Sequence, residues 1–270
     1  MDEYLFDLNG YLVIRNVLTP AQLAGCNATL DALPRAEGKS WAGNVYVDNP
    51  PGKQEGLVAQ QIYEGGPAWE ELIDHPAWMK KIVHFLGTDV RGSFDAHHGP
   101  AFIDEAFASV RGPGKSIPLH SSGYDGVIRC QYRYHAGVFH CGQVNVLMAF
   151  NDIGPGDGAT MVIPGSHKSN IQHPQRAESR GRSVEGIEGA IEVYLKAGDA
   201  LMFVDAIMHG SAQRVNEGER RMAVYRYGPS WGRLRLPFEV SAELLARLTP
   251  ERRAIVEPVT DRLLPPERRA

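Results

Sequence analysis

Cysteine is scarce: Cys26, Cys130 and Cys141 are the only three in 270 residues. An odd number at irregular spacing excludes a disulfide framework and points to a reducing, cytoplasmic location. Apolar runs are short, and none approaches the roughly 20 residues of a membrane span. The start, Met1-Asp2-Glu3-Tyr4, is acidic and unlike a secretory leader. A charge excess of one sign is missing too. The formal balance is −4, too small to argue for nucleic acid or an anionic membrane as partner. There is no internal repeat and no low-complexity tract. Nothing in the sequence specifies an oligomeric state.

What is present is an ordinary globular mixture, 43% apolar and 22% charged. A chain of this length buries enough surface to fold without disulfides or a structural metal. With 29 glycines and 18 prolines it is rich in turns, which suits β structure. We expect a single domain over residues 1–270. Its parts are a helical N-terminal layer at about 1–88, a β-barrel core at about 89–230 and a helical tail at about 238–270.

Residues 10–15 read as a short strand. Thr19-Pro20 starts a helix, threonine as N-cap and proline at the first helical position, running to about residue 33. Residues 44–66 are polar and glycine-rich and read as loop. Residues 69–85 have helical spacing of Leu72, Ile73, Trp78, Ile82, Val83 and Phe85, with Gly87 as the stop. Further on, short runs rich in Val, Ile, Tyr and Phe alternate with turn residues, at 127–134, 138–152, 160–163, 191–195, 200–204 and 221–227. That spacing predicts an antiparallel sandwich or barrel. Residues 240–247 and 250–256 read as helices.

The chemistry concentrates late in the chain. His209 closes one apolar run, and Arg220, eleven residues on, opens the next. Non-haem Fe(II) oxygenases hold their metal with two histidines and one carboxylate on one face. A downstream arginine suits a carboxylate ligand, because its planar fork grips two oxygens and stays charged. Gln143 and Asn145, two apart on a predicted strand, would face the cavity together and join the cofactor-binding set.

Two stretches carry a resemblance. Gly158-Ala159-Thr160-Met161-Val162-Ile163-Pro164-Gly165-Ser166-His167-Lys168 resembles the Pro-Gly-Ser-His-Lys signature of the phytanoyl-CoA dioxygenase family, and residues 9–19 resemble that family's opening. The resemblance covers essentially the whole chain. It implies a mainly β fold with flanking helices around a double-stranded β-helix (jelly roll, cupin-like) core. It also implies an enzyme that uses Fe(II), 2-oxoglutarate and O2 to oxidise a small or medium organic substrate, by default hydroxylating it, with release of succinate and CO2. By position, His209 is then an iron ligand, Arg220 the partner of the 2-oxoglutarate C5 carboxylate, and Ser211 a hydrogen-bonding residue to the same group. The Pro164-to-Lys168 segment is read as structural, a tight turn that orders the barrel.

The upstream half departs from the pattern. Its best match is His120-Ser121-Ser122, with serine where the carboxylate should stand. Three readings stay open. The position is vacant and takes a water or halide beside Ser122, as in the related halogenases. The carboxylate comes from elsewhere, Asp125 being nearest. Or the ligands lie in Asp95-Ala96-His97-His98, with His135-Ala136-Gly137 a further look-alike. Hydroxylation is the leading reading. Halogenation at the same metal, and a jelly-roll binding protein without efficient iron chemistry, are the alternatives.

Overall fold

The computed structural model describes residues 1–49, 51, 56–89, 101–114, 116–121, 128–177, 184–229 and 239–257. Its strands are β1 (Tyr11–Ile14), β2 (Gly38–Ala42), β3 (Val45–Asn49), β4 (Leu57–Gln60), β5 (Phe102–Arg111), β6 (Ile117–His120), β7 (Tyr132–His135), β8 (Val138–Cys141), β9 (Val144–Ala149), β10 (Thr160–Val162), β11 (Ile191–Val193), β12 (Ala200–Val204), β13 (His209–Ser211) and β14 (Arg220–Gly228). Its helices are α1 (Asp2–Asn9), α2 (Pro20–Ala32), α3 (Pro67–Glu70), α4 (Met79–Leu86), α5 (Ala242–Arg247) and α6 (Pro250–Val256). One sheet has eight strands in the order β1-β12-β9-β14-β5-β4-β3-β2, and a second has four in the order β11-β10-β13-β6. Strands β7 and β8 form a separate hairpin. Successive strands β12, β13 and β14 alternate between the two large sheets, which is the double-stranded β-helix arrangement.

The central strands read as unbroken apolar runs because both faces are covered. Every residue of β9 and of β12 is buried. On β14 the two faces have different work. Tyr225 and Tyr227 turn toward the helical layer, where Tyr225 Oη donates to Trp69 O at 2.9 Å and Tyr227 Oη to Ile73 O at 2.9 Å. These tyrosines are core residues. Arg220 turns the other way and reaches the four-stranded sheet at Thr160. Helix α2 starts as its sequence predicts, with a capping box between Thr19 and Gln22. Cys26, Cys130 and Cys141 are buried free thiols. No described helix is long and apolar enough to cross a membrane.

Three expectations need correction. Residues 44–66 are not simply loop: β3 and β4 lie there and extend the large sheet through pairing with β5. Val45 and Val47 are buried on alternate positions, a period-two signal masked by the polar residues between them. The N-terminal layer therefore contains four strands of the large sheet and is helical only in part. Residues 69–85 do not form one helix. Helix α3 ends at Glu70, turns follow, and α4 begins at Met79. Pro76 explains the break, since it has no N–H to donate and its ring clashes with the carbonyl four residues back. Five of the six apolar positions, Leu72, Ile73, Trp78, Ile82 and Phe85, are nonetheless buried, and Val83 is half-buried. His75, between the two helices, is buried and stacks on Trp78 at 4.4 Å.

The two stretches that carry the family resemblance meet in space. His167 Nε2 donates to Asp7 O at 3.0 Å, and Lys168 pairs with the Asp7 carboxylate at 2.8 Å. Tyr132 Oη also donates to that carboxylate. Gly10 ends α1 with φ of 82°, and a Cβ there would come within 2.5 Å of His167 Nδ1. Glycine is thus required at residue 10 by both backbone and packing. On the other side, Ser166 Oγ accepts from Met208 N at 2.8 Å, one residue before His209. The Pro-Gly-Ser-His-Lys turn ties the N-terminal helix to the strand that carries His209.

Burial pushes the pKa of His167 down to about 4. The unfolded value is near 6.5. Between those limits the unfolded chain binds the extra proton, so stability should rise with pH from about 4 to 6.5 and fall on acidification. The His167 share should amount to at most about 3 kcal/mol at 1.36 kcal/mol per pKa unit. Urea midpoints at pH 7 and pH 4.5 check this. His167→Gln should show the smaller difference between the two; equal differences would refute the assignment.

Candidate metal and cosubstrate site

Strands β6 and β13 pair antiparallel with His120 directly opposite His209. Residues so paired point to one face, and the two rings stand 4.1 Å apart between centroids. Each ring is held the same way. His120 Nδ1 lies 2.9 Å from Pro118 O, and His209 Nδ1 lies 2.9 Å from Ile207 O. A carbonyl only accepts, so each Nδ1 carries the proton and each Nε2 carries the lone pair. That is the tautomer of a metal-binding imidazole whose other nitrogen is anchored by the backbone. His209 is buried, and Phe203 sets its edge against the ring at 4.8 Å. Burial first, then the neighbouring His120, pushes the pKa of His209 down to about 3. It is neutral at physiological pH, with its lone pair available to a cation.

His209 does not close the apolar strand as the sequence suggested. Strand β12 ends at Val204, a turn follows in which Ile207 N donates to Val204 O, and His209 opens β13 in the other sheet. The pleat then places Ser211 on the same face, two residues on.

Ser211 Oγ accepts from Arg111 Nη1 at 2.7 Å and from Ile117 N at 2.9 Å. Arg220 opens β14, as expected from the sequence, and lies directly opposite Arg111 of β5. Both side chains are buried. Arg220 donates to Gly158 O and to Thr160 Oγ1, and its Nε is buried with no hydrogen-bond partner among the described residues. Burial works against its protonated form, as do the charges of Arg111 and Arg214. Arg214 is itself paired with Asp157 at 3.0 Å. Buried positive charge with a free donor on Arg220 Nε has the chemistry to hold an anionic group.

Gln143 and Asn145 are buried and turn the same way, as their spacing predicts. Their amides converge on Asp205. Gln143 Nε2 and Asn145 Nδ2 each donate to Asp205 Oδ1 at 3.0 Å, and Arg129 Nε donates to Oδ2 at 3.2 Å. Asp205 sits in the turn just before β13, so this network fixes the approach to His209. Sequence reasoning overlooked both Asp205 and Arg111. The signals were there: an aspartate inside an apolar run, and an arginine ending an apolar strand before Gly112-Pro113-Gly114.

The donor set fits a divalent first-row metal such as Fe(II): two imidazole Nε2 atoms on one face, with buried arginines nearby. Among the described residues no third His, Cys, Asp or Glu joins them. Ser122 and Asp125, the candidate third positions, lie outside the described residues, as do Asp95, His97 and His98. His135 and His140 lie on the β7–β8 hairpin, outside the sheet of the His120–His209 pair.

The chain is similar to known proteins along most of its length. Dioxygenase sphC of Aspergillus fumigatus is 24% identical over 235 residues, 83% of this chain and 57% of the relative. Dioxygenase cdmD of Talaromyces verruculosus is 27% identical over 108 residues, 40% of this chain and 33% of the relative. In both, the match spans less than two thirds of the relative's length. Among solved structures, HygX from Streptomyces hygroscopicus with nickel and 2-oxoglutarate bound is 22% identical with a TM-score of 0.68, over 90% of this chain and 92% of that one. The 2-oxoglutarate-dependent carbocyclase SnoK from nogalamycin biosynthesis is 16% identical with a TM-score of 0.56, over 89% and 92% of the two chains. These likenesses are of fold. The family profile described as phytanoyl-CoA dioxygenase (PhyH) matches residues 6–222, and by that match the chain belongs to the phytanoyl-CoA dioxygenase family.

Proposed function

We propose that this chain is an Fe(II)- and 2-oxoglutarate-dependent oxygenase that oxidises a small or medium organic substrate, by default through hydroxylation, releasing succinate and CO2. The observation that carries the reading is the His120–His209 pair, both rings with the proton on Nδ1, beside the buried Ser211–Arg220 pocket. His120 and His209 would hold the metal through Nε2. Arg220 and Ser211 would hold the distal carboxylate of 2-oxoglutarate. Bound Fe(II) supplies the redox chemistry with O2 that couples decarboxylation of 2-oxoglutarate to oxidation of a substrate C–H bond. The protein's part is to orient the two ligands, keep His209 neutral and exclude water. Gln143 and Asn145, held in place through Asp205, would line the approach to the same site. HygX has been solved with nickel, 2-oxoglutarate and hygromycin B bound, which supports a small-molecule substrate here.

The third protein position falls to Asp125, or to a water or halide beside Ser122. Under anaerobic conditions, Fe(II) with 2-oxoglutarate should produce a weak visible charge-transfer band and a rise in Tm. No band and no thermal shift would sink the proposal. Asp125→Asn separates the two readings of the third position. It should weaken Fe(II) affinity by about tenfold or more if Asp125 ligates, and leave it unchanged if a water or halide does.

A further inference from the structure

Arg111 has no part in the reading above, yet it lies beside both residues assigned to the cosubstrate. It stands directly opposite Arg220 in the β5–β14 ladder. Like charges directly opposite in a sheet repel, and here both are buried, where the cost is larger. Arg214, the third cation of the group, has Asp157 against it. The described partners of Arg220 are neutral: a carbonyl, a hydroxyl and the Met222 thioether. An anionic group reaching Arg220 between the strands would be drawn by both charges.

Ser211 makes the direction of recognition definite. A hydroxyl has two lone pairs and one proton. Arg111 Nη1 and Ile117 N donate to Ser211 Oγ at 2.7 and 2.9 Å and so occupy both lone pairs. The remaining group is the O–H, which can only donate. Ser211 is thereby committed as a donor next to Arg220, as a carboxylate requires.

We infer that Arg111 is a positioning residue for the distal carboxylate of 2-oxoglutarate: it commits the Ser211 hydroxyl to donation and adds a second positive charge to the Arg220 pocket. This rests on the cosubstrate assignment above. Selectivity for a dicarboxylate 2-oxo acid over a monocarboxylate one then depends on Arg111 as well as on Arg220.

The test compares 2-oxoglutarate with 2-oxovalerate, which has the same carbon chain but a methyl group in place of the distal carboxylate. Calorimetry on Mn(II)-loaded protein yields both dissociation constants for wild type, Arg111→Gln, Arg111→Lys, Ser211→Ala and the Arg111→Gln/Ser211→Ala double variant. Arg111→Gln should weaken 2-oxoglutarate by about 10- to 100-fold and 2-oxovalerate by less than about twofold, since no distal charge is present to lose. Arg111→Lys should retain part of the selectivity, because charge survives without the planar fork. The double variant should lose less than the product of the two single losses, as expected for residues acting as a unit. An equal loss for both ligands, or none, overturns the inference. If Arg111→Gln fails to fold, Arg111→Lys decides: unchanged selectivity in that variant overturns it. A wild type that does not prefer 2-oxoglutarate overturns the cosubstrate assignment itself, a different and separately visible outcome.

Discussion

His209→Ala should abolish metal-dependent activity and weaken Fe(II) binding by more than about a hundredfold, beyond the 10- to 100-fold that losing a ligand's supporting partner typically costs. His120 and His209 stand opposite each other on one face, and among the described residues no group of three or more His, Cys, Asp or Glu could hold a metal in their place. Removing one leaves a single imidazole, which cannot define a coordination site. The ring is also prepared for its task. Burial holds it neutral, with a pKa near 3, and the Ile207 carbonyl keeps the proton on Nδ1. Truncation leaves a cavity against Phe203, so His209→Gln, closer in volume, serves as companion. Metal content after desalting, read with circular dichroism on the same samples, is the measurement. Wild-type metal content in a folded His209→Ala protein would remove His209 from the site.

Arg220→Met should produce two effects that rarely occur together. Affinity for 2-oxoglutarate should fall by at least about a hundredfold, corresponding to roughly 3 kcal/mol for breaking a buried charge pair. Stability without cosubstrate should hardly change, or should rise. Arg220 is buried and faces Arg111; relieving such a charge is worth several kcal/mol. Against that stands the lost hydrogen bond to the Gly158 carbonyl, about 1 to 3 kcal/mol for an unsatisfied buried acceptor. The first quantity is at least as large as the second. Thermal melts with and without 2-oxoglutarate read both effects at once: a Tm for the free protein close to wild type, and no upward shift on adding ligand. A preserved ligand-induced shift would exclude Arg220 from the cosubstrate site. A large Tm loss in the free protein would show that its role is structural.

Particular elements show how far local pattern reaches. The Thr19–Gln22 capping box, the apolar runs of β9 and β12 and the start of β14 at Arg220 follow from residues adjacent in sequence. So does the shared orientation of Gln143 and Asn145, because the strand period is two. The β5 strand was not among the runs read from the sequence, since Asp104, Glu105 and Ser109 interrupt its apolar pattern. Glu105 is accommodated by partners on other strands, Gln60 of β4 among them. Glu105 pairs with Arg226 at 3.0 Å, an arrangement that no local window can display.

The sequence by itself determined the family, the β-rich core, and the candidacy of His209, Ser211 and Arg220, because those depend on residue type and short spacing. The tertiary structure decided which of the described histidines stand together. His120 meets His209 through the register of β6 and β13. It also decided that Gln143 and Asn145 converge on Asp205, and that Arg111, a hundred residues before Ser211, shares its hydrogen bond. The physical reason is that side-chain direction is a local property of the backbone, whereas proximity across a sheet depends on strand order and register, set by the packing of the whole core.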